Sequence, residues 1–237
     1  MQPIPIFIGV DHRERAATNV LIDSLVAHSS APLAITPLVT SQLQQQGLYW
    51  RSRDPKQSTD FSFSRFLVPQ LMNFQGWALF LDCDMLCRAD IANLWALRDA
   101  NWALMCVQHQ HQPSETLKFL GEVQSAYPKK NWSSLMLFNC SRCTALTPAY
   151  VNSASGLDLH RFHWLPEGDA TIGALPPGWN HLVGVQPAPE ASADQGGPAM
   201  LHWTLGGPWF RDQRCLGGEL AAEWFGARAD AMALWDQ

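Results

Sequence analysis

The period of the hydrophobic positions changes repeatedly along this chain, and each change marks an element. Residues 4–10 (IPIFIGV) form an apolar run rich in branched side chains, which predicts a strand covered on both faces. Residues 13–28 then carry Ala16, Ala17, Val20, Leu21 and Leu25 at helical spacing, and Pro32 ends the segment. A second strand is predicted over 33–38, followed by a polar stretch over 42–58 that reads as an ordered loop beside a site. Residues 60–74 predict a helix with Phe63, Phe66, Leu67 and Leu71 on one face, kinked or broken at Pro69 and stopped by Gly76. The run 77–81 (WALFL) predicts a strand that leads straight into Asp82-Cys83-Asp84. A helix over 91–97 and a strand over 102–107 follow.

The later part is less regular. Residues 109–130 are polar and punctuated by proline, a long loop by pattern, and 133–138 predicts a strand. A short helix is expected over 169–174, a turn over 175–178 and a loop over 187–198. The last predicted helix, 218–235, has Leu220, Trp224, Ala231 and Trp235 along one side. Alternating strands and helices imply right-handed βαβ units and an α/β fold with a mostly parallel sheet. With no repeat and no separable linker, the 237 residues predict a single domain.

Composition narrows the function classes. At 47% hydrophobic and 16% charged the chain is too apolar to be disordered, and a net charge of −5 excludes a nucleic-acid binder that needs a basic face. No apolar run reaches the length of a membrane span, and the first residues (MQPIP) lack the basic and apolar parts of a signal peptide. The six cysteines lie mostly in apolar segments, which predicts reduced thiols and a cytoplasmic protein. Cys140-Ser141-Arg142-Cys143 has no second ligand pair at zinc spacing, so it is expected to be two ordinary thiols.

Fourteen aspartates in 237 residues would give about 0.8 Asp-x-Asp triplets by chance, so Asp82 and Asp84 gain their weight from position. They close an apolar strand, and ligands of open α/β sheets sit at the carboxyl ends of strands. Two carboxylates there, with Arg88 as the nearest base in sequence, repel unless a cation joins them. Hard oxygen ligands favour magnesium or manganese, which can neutralise a departing diphosphate. The competing reading is that either aspartate only caps the turn.

The order FIGVD (7–11), SFSRF (62–66), FLDCDM (80–85), SSLMLFN (133–139), a late acidic site and HWTLGGPW (202–209) resembles glycosyltransferase family 8 over most of the chain. That family has the GT-A fold, includes glycogenin and bacterial lipopolysaccharide galactosyltransferases, and retains anomeric configuration. The resemblance implies a Rossmann-like mixed sheet flanked by helices, with a nucleotide-binding half near 1–107 and an acceptor-binding half near 108–237. It implies that Asp82, Asp84 and His202 hold Mn²⁺ or Mg²⁺, with Asp82 also near the donor ribose or sugar. Arg65 would contact the donor, Asp11 would meet the base, and Asn131, Ser133 and Ser134 would face the donor sugar. Gly206 and Gly207 fall in the final donor-binding motif, and Asp169 falls at the acidic site near the reacting centre. The implied donor is a nucleotide diphosphate sugar, UDP by family default, and the acceptor a glycan, lipid-linked or protein hydroxyl.

Three departures from the family stand out. Gly207 occupies the place of a diphosphate-binding lysine before Pro-Trp, His202 lies one residue closer to that Pro-Trp, and Ala170 replaces a glutamine. Arg211 or Arg65 would then supply the phosphate charge, or the domain would bind a sugar or nucleotide without turnover. A haloacid-dehalogenase-type phosphohydrolase also ends a strand in Asp-x-Asp, but Leu86 stands where it needs Thr or Val. A nucleotidyltransferase would need a glycine-rich loop after the first strand, which residues 9–13 (GVDHR) do not provide. His109 with His111, and His160 with His163, have ligand-like spacing but read as solvated pairs. Most of the eleven tryptophans, Trp164, Trp179, Trp203 and Trp209 among them, are expected in the core, with some left to stack on sugar. The C-terminal helix lacks a basic face, so it is expected to pack on its own domain or to form a homodimer contact.

Overall fold

The computed structural model describes residues 2–54, 57–110, 129–189 and 196–233. Its strands are β1 (Ile4–Gly9), β2 (Leu33–Leu38), β3 (Trp77–Leu81), β4 (Met85–Cys87), β5 (Leu104–Cys106), β6 (Leu135–Asn139), β7 (Ile172–Ala174), β8 (His181–Leu182) and β9 (Met200–His202). The α-helices are α1 (Arg15–His28), α2 (Thr40–Gln45), α3 (Val68–Leu71), α4 (Ile91–Ala96), α5 (Pro148–Ser153), α6 (Gly156–His160) and α7 (Glu219–Ala231).

Six strands form one sheet in the order β2-β1-β3-β6-β5-β7. Its pairings are parallel except the two made by β6, which runs against β3 and β5. The central strands β3 and β6 are largely apolar, and every residue of β6 is buried. β2 is an edge, half-exposed, and it tolerates Pro37 because an edge strand has backbone donors to spare. Gly9 ends β1 under the Phe61 ring, where a Cβ would stand 2.3 Å from Phe61 Cδ2, so the chain can turn toward the site only with glycine here.

A second, three-stranded sheet, β4-β9-β8, leaves the first at Asp82–Asp84. Behind it Val20 of α1, Leu86, Val183, Leu201, Trp203 and Trp224 of α7 make a separate apolar cluster. Trp224 is buried there, so α7 packs on its own chain. Among the described residues no helix is long and apolar enough to cross a membrane.

Several elements differ from the sequence expectation. The helix over 60–74 is two short pieces, a 3₁₀ turn Ser64–Leu67 and α3, because Pro69 has no N–H to continue a longer ladder and sits in the first turn of α3. The strand over 133–138 begins at Leu135, since Ser133 and Ser134 belong to the 3₁₀ turn Trp132–Ser134. The helix over 169–174 is a 3₁₀ turn, Gly168–Thr171, followed by β7, which tertiary pairing with β5 draws into the sheet. The polar stretch after β2 contains the end of α2, and α5 and α6 had no expectation at all. His111 and Trp235, and most of the loops expected over 109–130 and 187–198, lie outside the described residues.

Candidate active site

Two backbone hydrogen bonds assemble the site. Asp82 follows β3 and its N–H donates to Ser134 O at 2.9 Å, while Asp84 O accepts from Trp203 N at 3.0 Å. Antiparallel pairing of β4 with β9 sets Met85 opposite His202. Asp82, Asp84 and His202, far apart in sequence, thereby bring one ligand atom each within 4.8 Å of one another. All three are largely buried, His202 to 1% exposure. His202 Nε2 lies 3.3 Å from Asp84 Oδ1, an oxygen that accepts no hydrogen bond among the described residues. Two hard carboxylates and an imidazole, with a buried acceptor unmet, form a donor set that suits manganese or magnesium.

The base beside the pair is not Arg88. Arg88 turns away to Glu223 at 2.7 Å and to Pro198 O, drawn by α7 packing over the second sheet. Instead Arg65, from the 3₁₀ turn before α3, places Nη1 2.7 Å from Asp82 Oδ1 and donates to Ser133 O at 2.8 Å. Its guanidinium lies 5.0 Å from the Phe61 ring centroid and 5.1 Å from that of Phe80, two faces that favour a desolvated cation.

Glu14 stands behind the pair, at the entry to α1. Burial, and then the charge of Asp84, pushes its carboxyl up to about 8, and it accepts from the Cys83 thiol at 3.3 Å. Burial also pushes the Cys83 thiol well up. No sequence signal marks Glu14, since a glutamate beside Arg13 reads as a solvated pair.

Asn131, Ser133 and Ser134 are tied into the same network. Asn131 adopts a left-handed φ of 63°, tolerable for asparagine, and its Oδ1 accepts the Thr204 hydroxyl at 3.2 Å. Ser133 Oγ meets His160 Nδ1 at 2.8 Å, and Ser134 Oγ donates to Asn131 O at 2.7 Å. Asn180, wholly buried, reaches Ser134 Oγ and holds His202 Nδ1 at 2.9 Å. Sequence reasoning passed over Asn180, which lies two residues beyond the turn expected over 175–178.

Asp11 is buried with both oxygens occupied. Arg13 binds it through its backbone N–H, Nε and Nη2, and Asp60 N donates at 3.0 Å. Burial alone would raise its pKa, but these donors hold it below the ordinary value. His12 and Asp60 complete a second cluster of metal-ligand types. There Arg13 and Arg53 already neutralise the carboxylates, so the cluster closes as an ion-pair network.

Asp169 stands apart. Its side chain is 70% exposed and ion-paired with Lys129, and it precedes β7, whereas Asp82 and Asp84 follow β3. Gly206 has φ 97°, and its N–H donates to Trp203 O in a tight turn. At Gly207 a Cβ would stand 2.2 Å from the Trp209 ring, so a lysine cannot occupy this position in this conformation. The other histidine pair separates, His160 to Ser133 and His163 to Asp158. Cys140 and Cys143 are buried free thiols, the first pushed up to about 12 by burial.

The family model for Glycosyl transferase family 8 matches residues 7–144, from the second half of β1 through the acidic pair and β6. The chain belongs to glycosyltransferase family 8. A relative from Arabidopsis thaliana, Protein CDI, is 48% identical over 211 residues, 88% of this chain and 80% of that protein. Among solved structures, the galactosyltransferase LgtC, determined with donor and acceptor sugar analogs, superposes with a TM-score of 0.58 at 12% identity, covering 98% of both chains. WbbM, a bifunctional glycosyltransferase, gives 0.61 at 14% identity, and GlyE of Streptococcus pneumoniae TIGR4 gives 0.59 at 16%. This chain spans half of the WbbM chain and 61% of the GlyE chain. At these identities the likeness shows the fold, GT-A, and the family model shows the membership. The family 8 chain is thus a nucleotide-sugar-dependent glycosyltransferase by family, and the phosphohydrolase reading falls away.

Proposed function

We propose that this protein moves a sugar from a UDP-sugar to a hydroxyl acceptor on a glycan, lipid-linked sugar or protein, with retention of configuration. The observation that carries the proposal is the buried convergence of Asp82, Asp84 and His202 at the carboxyl end of β3. These three would hold Mn²⁺ or Mg²⁺, which when bound supplies Lewis-acid charge to the leaving diphosphate.

The chain's own residues prepare that charge balance. Arg65 offsets one of the two carboxylates, so the site carries about one formal negative charge before a divalent cation and one positive charge after it. Such a site favours an anionic diphosphate without a lysine at 207, because Arg65 already balances Asp82. Arg65 also holds Asp82 and the Ser133 carbonyl in one place, which limits reorganisation during transfer. Asp11, with Arg13 and Asp60 bonded to it, would shape the base end of the first half, while Asn131, Ser133, Ser134, Gly206 and Gly207 would line the donor side. The later half receives the acceptor, and Asp169, which lies apart from the acidic pair and is exposed beside Lys129, would contact only the part of the acceptor far from the acidic pair.

UDP release from a panel of UDP-sugars with Mn²⁺ tests this reading. Asp84→Ala, or chelation, should lower the rate at least about 100-fold, because an oriented charge of this kind is worth several kcal/mol. Asp169→Asn should slow transfer to acceptor more than donor hydrolysis; a wild-type transfer rate would remove Asp169 from the site. Full activity in Asp84→Ala would overturn the metal assignment. The steric block at Gly207 favours one second reading, a domain that binds donor without turnover, and this requires nucleotide binding with no release from any intact donor.

A further inference from the structure

His202 has two ring nitrogens, and only one can face the acidic pair. Nε2 lies 3.3 Å from Asp84 Oδ1, and Nδ1 lies 2.9 Å from Asn180 Oδ1. Which end of the Asn180 amide faces the histidine follows from its other partners. The amide nitrogen lies 3.4 Å from Asn131 O, a carbonyl that can only accept. It also lies 2.9 Å from Ser134 Oγ, whose own proton is already given to Asn131 O. Both N–H groups of Asn180 are therefore committed, and its oxygen must accept from His202. Nδ1 then carries a proton, and in the neutral ring that leaves the Nε2 lone pair facing Asp82 and Asp84.

We infer that Asn180 is the positioning residue that fixes the tautomer and ring plane of His202, and so makes it competent to bind a divalent cation. The inference rests on the metal reading proposed above. Asn180 is wholly buried and lies in the 3₁₀ turn Pro177–Asn180, directly before β8, which pairs with β9 carrying His202. Its other contacts, Asn131 and Ser134, belong to the turn whose Ser134 carbonyl holds the Asp82 N–H. One amide thus spans both sheets and links the histidine ligand to the backbone that sets the aspartate ligand. Hydrogen bonds of this type to a ligating histidine fix its orientation and are worth about 10–100-fold in metal affinity.

Mn²⁺ binding to the full chain, followed by electron paramagnetic resonance, tests the assignment without any turnover. Asn180→Leu should weaken Mn²⁺ about 10–100-fold. Asn180→Asp keeps an acceptor opposite Nδ1 and lets the Ser134 hydroxyl turn to the second oxygen, so it should recover most of that loss. A folded Asn180→Leu that binds Mn²⁺ as the wild type does overturns the role of Asn180 alone. A wild-type protein that binds no Mn²⁺ overturns the metal reading and this inference with it. Should the leucine variant fail to fold, ¹⁵N-detected histidine spectra of the Mg²⁺-loaded wild type decide: a proton on Nδ1 of His202 is expected, and a proton on Nε2 contradicts it.

Discussion

At the scale of single residues, the site concentrates negative charge and moderates it with very few partners. Glu14 shows the cost. Its folded pKa, about 8, lies above the ordinary carboxyl value because burial and Asp84 disfavour the anion. The folded state therefore keeps a proton that the unfolded chain releases, and stability falls as pH rises from about 4.5 through about 8. In metal-free protein, Glu14→Gln should flatten this part of the profile and raise Tm at pH 8 by a few degrees, with little change at pH 5. An unchanged Tm–pH profile would show that Glu14 ionises freely. The acidic pair and His202 were legible because strand, acidic turn and late histidine kept the family's order. Asn180 and Glu14 were not, because their importance lies in partners more than ten residues away. Arg88 misled for the same reason: nearness in sequence to Asp84 says nothing of the pull of Glu223 on α7.

At the scale of elements, long apolar runs were read well and short ones poorly. β1, β3 and α1 follow their hydrophobic period, although Thr18 and Ser24 share the buried face of α1 and Ala16 does not. β4, β8 and β9, three residues or fewer each, are too short to show a period, yet they carry His202 to the acidic pair. β7 likewise exists through its pairing with β5, which no local pattern encodes. The turn after β9 yields a prediction at this scale. Because the Trp209 ring fills the space over Gly207, Gly207→Lys should not tighten nucleotide binding; it should displace Trp209 from Trp203 and Trp224 and lower Tm by several degrees. Tighter UDP binding at unchanged Tm would show that the turn opens easily and that the lost lysine can simply be restored.

Across the whole molecule, two sheets meet at one acidic turn, and that junction is where sequence order becomes a site. The parallel sheet and its helices were implied by alternation alone, and the family resemblance named the fold correctly as GT-A. The second sheet was hidden, because it is made of fragments separated by more than a hundred residues, from β4 at 85 to β9 at 200. The central claim is that this junction holds a nucleotide diphosphate through a divalent cation. Thermal shift with UDP, GDP or buffer, each with and without Mn²⁺, tests it on the wild type and Asp84→Ala. Ligand at 100 times Kd should add about 2.7 kcal/mol, or roughly 5–10 °C for a chain of this size. The account predicts a shift that needs Mn²⁺, prefers UDP and disappears in Asp84→Ala; a shift equal in size without Mn²⁺, or retained in Asp84→Ala, would contradict it.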